Sequence, residues 1–422
     1  MTILPAIETL FAERPIDDLR ALAERFDGPP ATEWLSRAQR RPLPMNAPAA
    51  PPPSSMPSRL ALFAPSLTGG GIADVFTNLA RGFCEAGYAV DLLLTQKRGP
   101  FLEQVPPAAR VVDFQASHVS FSLPALVRYL RKWEPDVLFS APCGPSLTAV
   151  VARLLTGGAT RLVVTEHSIF AQTMRRAQSL KARTLVALAR RAYPFADAFV
   201  AVSEDAAQSL AACTRLSREQ IAVIPNPVVV PDATAGGEPT LPWPLDGSDA
   251  PLILGAGRLT EQKDIPTLLR AFARLRERRA ARLVVLGEGP RRSALEALAQ
   301  RLGIREDVHL PGFVDDPYAY MRAASVFALS SHDEPFGLVL VEAMACGTPV
   351  VSTDCPGGPS DILKGGALGP LVPVGDDEAL AAALGDVLDA PPPADMLTRR
   401  AADFSRERAV EAYLALVESL HS

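Results

Sequence analysis

The feature that most constrains this chain is an alternation that runs through it twice. From Arg59 onward, short apolar runs recur: LALFAP, AVDLLL, RVVDF, DVLFSA, RLVVTEH, AFVAVS and AVIP. Segments of helical pattern separate them, over about 73–87, 124–133, 146–155 and 204–214. A run of apolar residues too short for a helix, bounded by turn residues, reads as a strand buried on both faces. Strands that alternate with helices predict a parallel sheet covered on both sides. The first series ends near Ile224-Pro225-Asn226-Pro227. Residues 228–250 are rich in Pro, Gly, Asp, Thr and Ala. A second series then begins with PLILGAG, ARLVVLGEG, VHLPGF, SVFALS, PVVST and PLVPV. Its helices are expected at about 264–278, 290–303, 316–323, 337–346 and 376–390, and a last amphipathic helix at 405–420.

The fold class expected is therefore α/β, with two doubly wound, Rossmann-like parallel-sheet domains facing a cleft. Open parallel sheets bind ligands beyond the carboxyl ends of their strands, so function is sought in the loops that follow strands. The domains are read as 59–235 and 236–404, with 405–422 a C-terminal helix packing back toward the first domain. Residues 1–58 form an appendage. Within it PIDDLRALAERF, 15–26, has the apolar spacing of a short helix, and 41–58 holds seven prolines, which makes it a linker. The appendage is either a docking helix on a tether or a weakly ordered segment.

The formal net charge of −5 argues against nucleic acid as the main partner. The five cysteines are odd in number and show no CxxC spacing, so they read as reduced thiols rather than a disulfide frame or a metal site. The N-terminus lacks a basic n-region, and no apolar run is long enough to span a bilayer. The expected location is cytoplasmic, either free or peripheral on the inner face of a membrane.

Three stretches can carry chemistry. SLTGGGIADVFTNLA, 66–80, follows the first strand and opens a helix. Its glycines Gly70 and Gly71 let backbone approach a phosphate, or serve only a tight turn. GRLTEQKDIP places Arg258 and Lys263 in the loop after the first strand of the second domain, suited to phosphate oxygens or simply solvated. SHDEPFGLVLVEAMACGTPVV, 331–351, carries Glu334 on a loop and Glu342 inside an otherwise apolar helix that starts near Gly337. An unpartnered carboxylate among Leu, Val and Met gains nothing from burial, so both acids call for polar partners. One assignment gives Glu342 the hydroxyls of a ribose, Glu334 a sugar, and the helix N-terminus between them a diphosphate. The other makes them a capping acid and a surface acid.

Taken together, GGG after strand one, GRLxxQK, LGEGP, PGFV, ExFGxxxxE and AxGTPVVSTDCPGG resemble the retaining nucleotide-sugar glycosyltransferases of family 4, which have the GT-B fold. The resemblance covers about residues 59–420. It implies that Gly70 and Gly71 match the glycine turn by the donor diphosphate, and that Arg258 and Lys263 match the diphosphate-binding pair. By the same match Phe336, Gly337, Leu338 and Val339 form the helix start that touches sugar and phosphate, and Glu342 binds ribose. Glu334 holds the donor sugar near the anomeric centre, Val314 offers backbone to the base, and His167 stands near the reaction centre. Many relatives have Glu-Gly-Phe where this chain has Glu334-Pro335-Phe336, a difference that bears on which hexose is held.

The expectation is a retaining, metal-independent glycosyltransferase acting in cell-surface polysaccharide biosynthesis. It would move a hexose or N-acetylhexosamine from a nucleoside-diphosphate sugar to a glycan or lipid-linked acceptor, with UDP-sugar favoured and GDP-mannose next. No DxD triplet occurs, which fits protein cations doing a divalent ion's work, so no cofactor and no metal are expected. From His167 to Ala196 there is no acid, while six Arg and Lys residues fall in 175–191. That segment is either a solvated helix face or a contact for an anionic membrane surface. Competing readings are a nucleotide-sugar epimerase and a non-catalytic partner subunit that keeps the fold.

Overall fold

The structure, a computed structural model, describes residues 58–68, 71–157, 160–176, 180–229 and 250–421. Gly70, the appendage over 1–57 and the expected boundary at 235–236 lie outside the described residues.

The described residues contain thirteen strands and fourteen α-helices. In chain order the first series is β1 Arg59–Ala64, α1 Gly71–Glu85, β2 Ala89–Leu94, β3 Arg110–Asp113, α2 Leu123–Trp133, β4 Val137–Ser140, α3 Cys143–Thr156 and β5 Arg161–Glu166. It continues with α4 Phe170–Arg176, α5 Leu180–Ala192, β6 Ala198–Ala201, α6 Glu204–Cys213 and β7 Ile221–Val223. The second series is β8 Leu252–Ala256, α7 Ile265–Arg276, β9 Arg282–Leu286, α8 Arg292–Arg301, β10 Val308–Gly312, α9 Pro317–Ala323 and β11 Val326–Leu329. Then come α10 Leu338–Ala345, β12 Val350–Thr353, α11 Pro359–Ile362, β13 Leu371–Val372, α12 Asp377–Asp389, α13 Ala394–Ala401 and α14 Arg406–Ser419. Every strand expected from the apolar runs is present. The basic segment between β5 and β6 forms two helices.

Contacts divide the chain into two compact units. The first holds residues up to Val202, Ala206–Ile224 and Ala409–Ser422; the second holds Pro225–Arg408 with Ser203–Asp205. Each is built on one all-parallel sheet. The strand order is β3-β2-β1-β4-β5-β6-β7 in the first unit and β10-β9-β8-β11-β12-β13 in the second. Both are doubly wound, and the order reverses beside the first strand of each series. In the second unit this switch point lies between β8 and β11, which pair through Val326 with Ile253 and Phe327 with Leu254.

The core of the first unit runs from Leu60 and Leu62 through Phe76, Phe83 and Phe139 to residues of α14. Tyr413 of α14 is fully buried, with its ring 5.6 Å from that of Phe139 and 6.4 Å from that of Phe83. The second core packs Leu268 and Phe272 of α7 on Ile253, Leu283 and Val285 of the sheet.

Two buried carboxylates in the first unit are handled in opposite ways. Asp91 in β2 is 1% exposed, yet Arg59 Nη1 reaches it at 2.9 Å and Arg110 Nε at 2.8 Å, and the Tyr129 hydroxyl donates to it. The Arg110 guanidinium also stacks 3.8 Å from the Trp133 ring centroid. These bonds tie the starts of β1 and β3 to the middle of β2. Glu166, at the end of β5, accepts instead from the Ser168 hydroxyl at 2.6 Å and the Ser168 N–H at 3.1 Å. Burial pushes its carboxyl up to about 7, against the smaller lowering by the Ser168 and His167 hydrogen bonds.

Two outcomes are expected. Replacing Tyr413 by Ala empties a site between two aromatic rings and should cost the first unit about 3–5 kcal/mol in urea unfolding. For Glu166, the folded chain binds a proton more tightly than the unfolded chain. Its contribution to stability is therefore full below the ordinary glutamate pKa and is lost as pH rises to about 7. Unfolding measured between pH 4 and 8 should show a steeper loss in the native chain than in Glu166→Gln, by on the order of 3 kcal/mol over the range. Equal slopes would overturn this assignment.

Candidate functional site

In the second unit the switch point brings two loops side by side. The loop after β8 runs from Gly257 to Asp264, and the loop after β11 from Ser330 to Gly337. Lys263 Nζ forms an ion pair with Glu334 Oε2, and both side chains are largely buried. Ser331 Oγ donates to the same carboxylate oxygen at 3.2 Å. Around this pair the loops are stitched by polar bonds. Gln262 Nε2 donates to the Asp333 carbonyl and carboxylate, each at 3.1 Å. Ser330 Oγ donates to the Lys263 carbonyl at 2.9 Å, and the His332 N–H to the Gln262 carbonyl at 2.8 Å.

A third loop, after β12, locks Glu334 from the other side. The Glu334 N–H donates to the Pro356 carbonyl at 3.0 Å, and its carbonyl accepts from the Gly358 N–H at 2.9 Å. The approach is so close that a Cβ on Gly357 would lie 1.8 Å from the Glu334 carbonyl oxygen. Glycine is thus required there by packing as well as by its φ of +129°. Thr353 Oγ1 donates to the Ser331 carbonyl at 2.7 Å, completing a chain of bonds across β8, β11 and β12.

Helix α10 starts where these loops meet. Its sequence, LVLVEAMA, is apolar almost throughout, and Leu340, Val341, Ala343, Met344 and Ala345 are buried, so it is a core helix. Gly337 precedes it at φ +108°. The N–H groups of Leu338 and Val339 lie in the first turn, where no intrahelical acceptor exists, and both residues are only half-buried. Phe336 is buried edge-on against Phe404, with centroids 5.6 Å apart. Glu342 is half-buried one turn into the helix. Arg258 is exposed at the near end of the β8 loop, and the Lys263 stem lies along the Gly257 backbone. The structure therefore brings Lys263 and Glu334 together immediately before the helix start formed by Phe336, Gly337, Leu338 and Val339, with Glu342 one turn in, and leaves Arg258 exposed at the β8 end of its loop.

Val314 is half-buried in the loop after β10, beside Phe313, which is 82% exposed. Neighbouring loops are held at close range here too. The Gly287 N–H donates to the Gly312 carbonyl at 2.8 Å, and a Cβ on Gly287 would lie 2.2 Å from the Gly257 carbonyl oxygen.

In the first unit, Gly71 is the exposed first residue of α1. His167 follows β5, with Nε2 3.1 Å from Thr165 Oγ1 and its ring edge-on to Phe76 at 6.5 Å. Sequence reasoning gave no role to Gln262 or Phe313, although GRLxxQK and PGFV contain them, and did not pick out Ser331, Asp333 or Glu166. For Glu166 a signal was present: an acid closing an apolar strand, RLVVTE.

Two family models match the chain: glycosyltransferase family 4 over residues 69–230, and glycosyl transferases group 1 over residues 244–404. A lipopolysaccharide core biosynthesis glycosyltransferase of Rhizobium meliloti is 37% identical over 177 residues, 41% of this chain and 51% of that protein. A diphospho-undecaprenol 4-alpha-N-acetylgalactosaminyltransferase of Campylobacter jejuni is 32% identical over 251 residues, 58% of this chain and 65% of its own length. The chain thus spans about half the length of the curated relatives it matches. Among solved structures, Anabaena HepE in complex with UDP superposes with a TM-score of 0.70 at 22% identity, covering 86% of this chain and all of its own, which is a likeness of fold. The two models between them take in β2 to β7 of the first sheet, the whole of the second sheet and the loops just described, and the chain belongs to the family 4 glycosyltransferases of GT-B fold.

Proposed function

We propose that this chain is a retaining, metal-independent glycosyltransferase of cell-surface polysaccharide or lipopolysaccharide biosynthesis. It transfers a hexose or N-acetylhexosamine from a nucleoside-diphosphate sugar, UDP-sugar before GDP-mannose, to a glycan or lipid-linked acceptor. The observation that carries this reading is the buried Lys263–Glu334 pair at the switch point, immediately before the open N-terminus of α10. The names of the Rhizobium and Campylobacter relatives support the pathway and the lipid-linked acceptor, and the UDP complex of HepE supports the donor.

In this mechanism the diphosphate takes the first-turn N–H groups of α10, with Lys263 and Arg258 as counter-charges. Glu342 accepts from the ribose hydroxyls, and Val314 offers backbone to the base. The roles of Gly70 and Gly71 at the diphosphate and of His167 at the reaction centre are taken from the resemblance to the family. Glu334 accepts from hydroxyls of the donor sugar. Without donor, Lys263 neutralises Glu334; with donor, the ammonium turns to the phosphate and the carboxylate to the sugar. The bond from the anomeric carbon to the phosphate oxygen breaks as the acceptor hydroxyl attacks on the same face. The acceptor's proton goes to the departing phosphate, and the anomeric configuration is retained. Cations and helix dipole stabilise the charge that develops on the leaving group, so no divalent ion is needed. Transfer takes place at the cytoplasmic face, with segment 175–191 against an anionic membrane surface.

A thermal-shift panel of nucleoside diphosphates and nucleotide sugars tests the donor: a rise in melting temperature with one base and one sugar names it. Glu334→Ala should abolish transfer yet bind the nucleoside diphosphate at least as tightly, because Lys263 is then released to the phosphates. Loss of nucleotide binding with turnover intact would sink the role given to Glu334. Lys263→Ala should lower kcat about 10²–10³-fold. Chelators should leave the rate unchanged, and a loss restored by a divalent ion would refute the metal-independent mechanism. Donor binding without sugar transfer to any acceptor would make the chain a binding subunit.

A further inference from the structure

Segment 167–196 contains no acid, and its arginines do not simply line a solvated helix. Met174 and Arg175 of α4, Arg183, Arg190 and Arg191 of α5, and Arg215 beyond α6 surround one cavity of about 600 Å³ in the first unit. That volume lies in the range of small-molecule sites. All five guanidinium-bearing residues are exposed, and no carboxylate is among the described residues that line the cavity. On α5, positions 183 and 190 are two turns apart and share a face, while 191 sits at its edge. Arg215 arrives from a different part of the chain, so the convergence is a product of the fold and not of one helix's spacing. Gathering five like charges around one hollow is unfavourable without a counter-ion. The arrangement therefore points to an anion carrying more than one phosphate group, which guanidinium forks can hold through paired hydrogen bonds. Met174, 38% exposed at the same wall, suits an apolar group joined to that anion.

We infer that this cavity binds the diphosphate of a lipid-linked acceptor, with the lipid running past Met174. The inference rests on the glycosyltransferase reading for the word acceptor, and on the cavity alone for the diphosphate. It differs from a flat electrostatic contact with a membrane, since a discrete site saturates with a soluble anion.

The test is calorimetric titration of the full chain with inorganic pyrophosphate, in the presence of saturating UDP and separately in Lys263→Ala, so that the donor site does not answer for it. One pyrophosphate site is expected under both conditions. The double variant Arg183→Glu, Arg190→Glu should weaken it at least about tenfold, and Arg183→Lys, Arg190→Lys should recover part of the loss. Both variants change exposed side chains, and an unchanged melting temperature confirms that they fold. Pyrophosphate binding that ignores charge reversal, or that disappears in Lys263→Ala, overturns the inference. So does arginine-dependent sedimentation with phosphatidylglycerol-containing vesicles when no pyrophosphate site is found. Failure of the wild type to respond to any nucleotide counts against the glycosyltransferase reading instead, and leaves the pyrophosphate result to stand or fall by itself.

Discussion

The ion pair between Lys263 and Glu334 is the constraint around which the second unit's loops are arranged. Taking two charges out of water is costly, and their attraction repays that cost only when the remaining hydrogen-bonding capacity is met. Here it is met by Ser331, while Gln262, Asp333 and Ser330 hold the two loops in register. The pair is better understood as a positioning device than as a source of stability. It keeps one cation and one anion poised beside the first turn of a core helix. It also explains why glycine stands at 357: the Glu334 backbone must be approached so closely that no side chain fits.

Three of the buried carboxylates among the described residues meet the same physical problem with three solutions. Asp91 is neutralised by two arginines, which makes it a fastener between strands. Glu334 is neutralised by one lysine on a neighbouring loop, with Ser331 donating to the same oxygen. Glu166 holds its proton up to about pH 7, with serine and backbone donors around it. The first solution fastens strands, the second sets a charged pair at a loop junction, and the third favours the neutral carboxyl at the end of β5.

The fold was legible because parallel strands buried on both faces leave continuous apolar runs, and runs such as LALFA and ARLVVL have no competing interpretation at their length. Helix α10 was legible as a core helix with an acid in it, which is itself the anomaly that drew attention to Glu334 and Glu342. What stayed hidden depended on contacts between distant residues. The partners of Asp91 lie 32 and 19 positions away, and Gln262 meets Asp333 across 71. The short helices α11 and α13 carry too few turns to display a period. The basic segment displayed its charge plainly, but a linear reading could not show Arg215 joining it to close a hollow.

Helix α14 has a consequence for how the chain is made. A ribosome delivers all seven strands of the first sheet, then nearly two hundred further residues, before Val410, Tyr413 and Val417 emerge. Until then Phe83 and Phe139 lack the ring that covers them. The first unit to be synthesised is thus the last to be finished, and during the interval an apolar patch on nascent chain is open to chaperones and to aggregation alike.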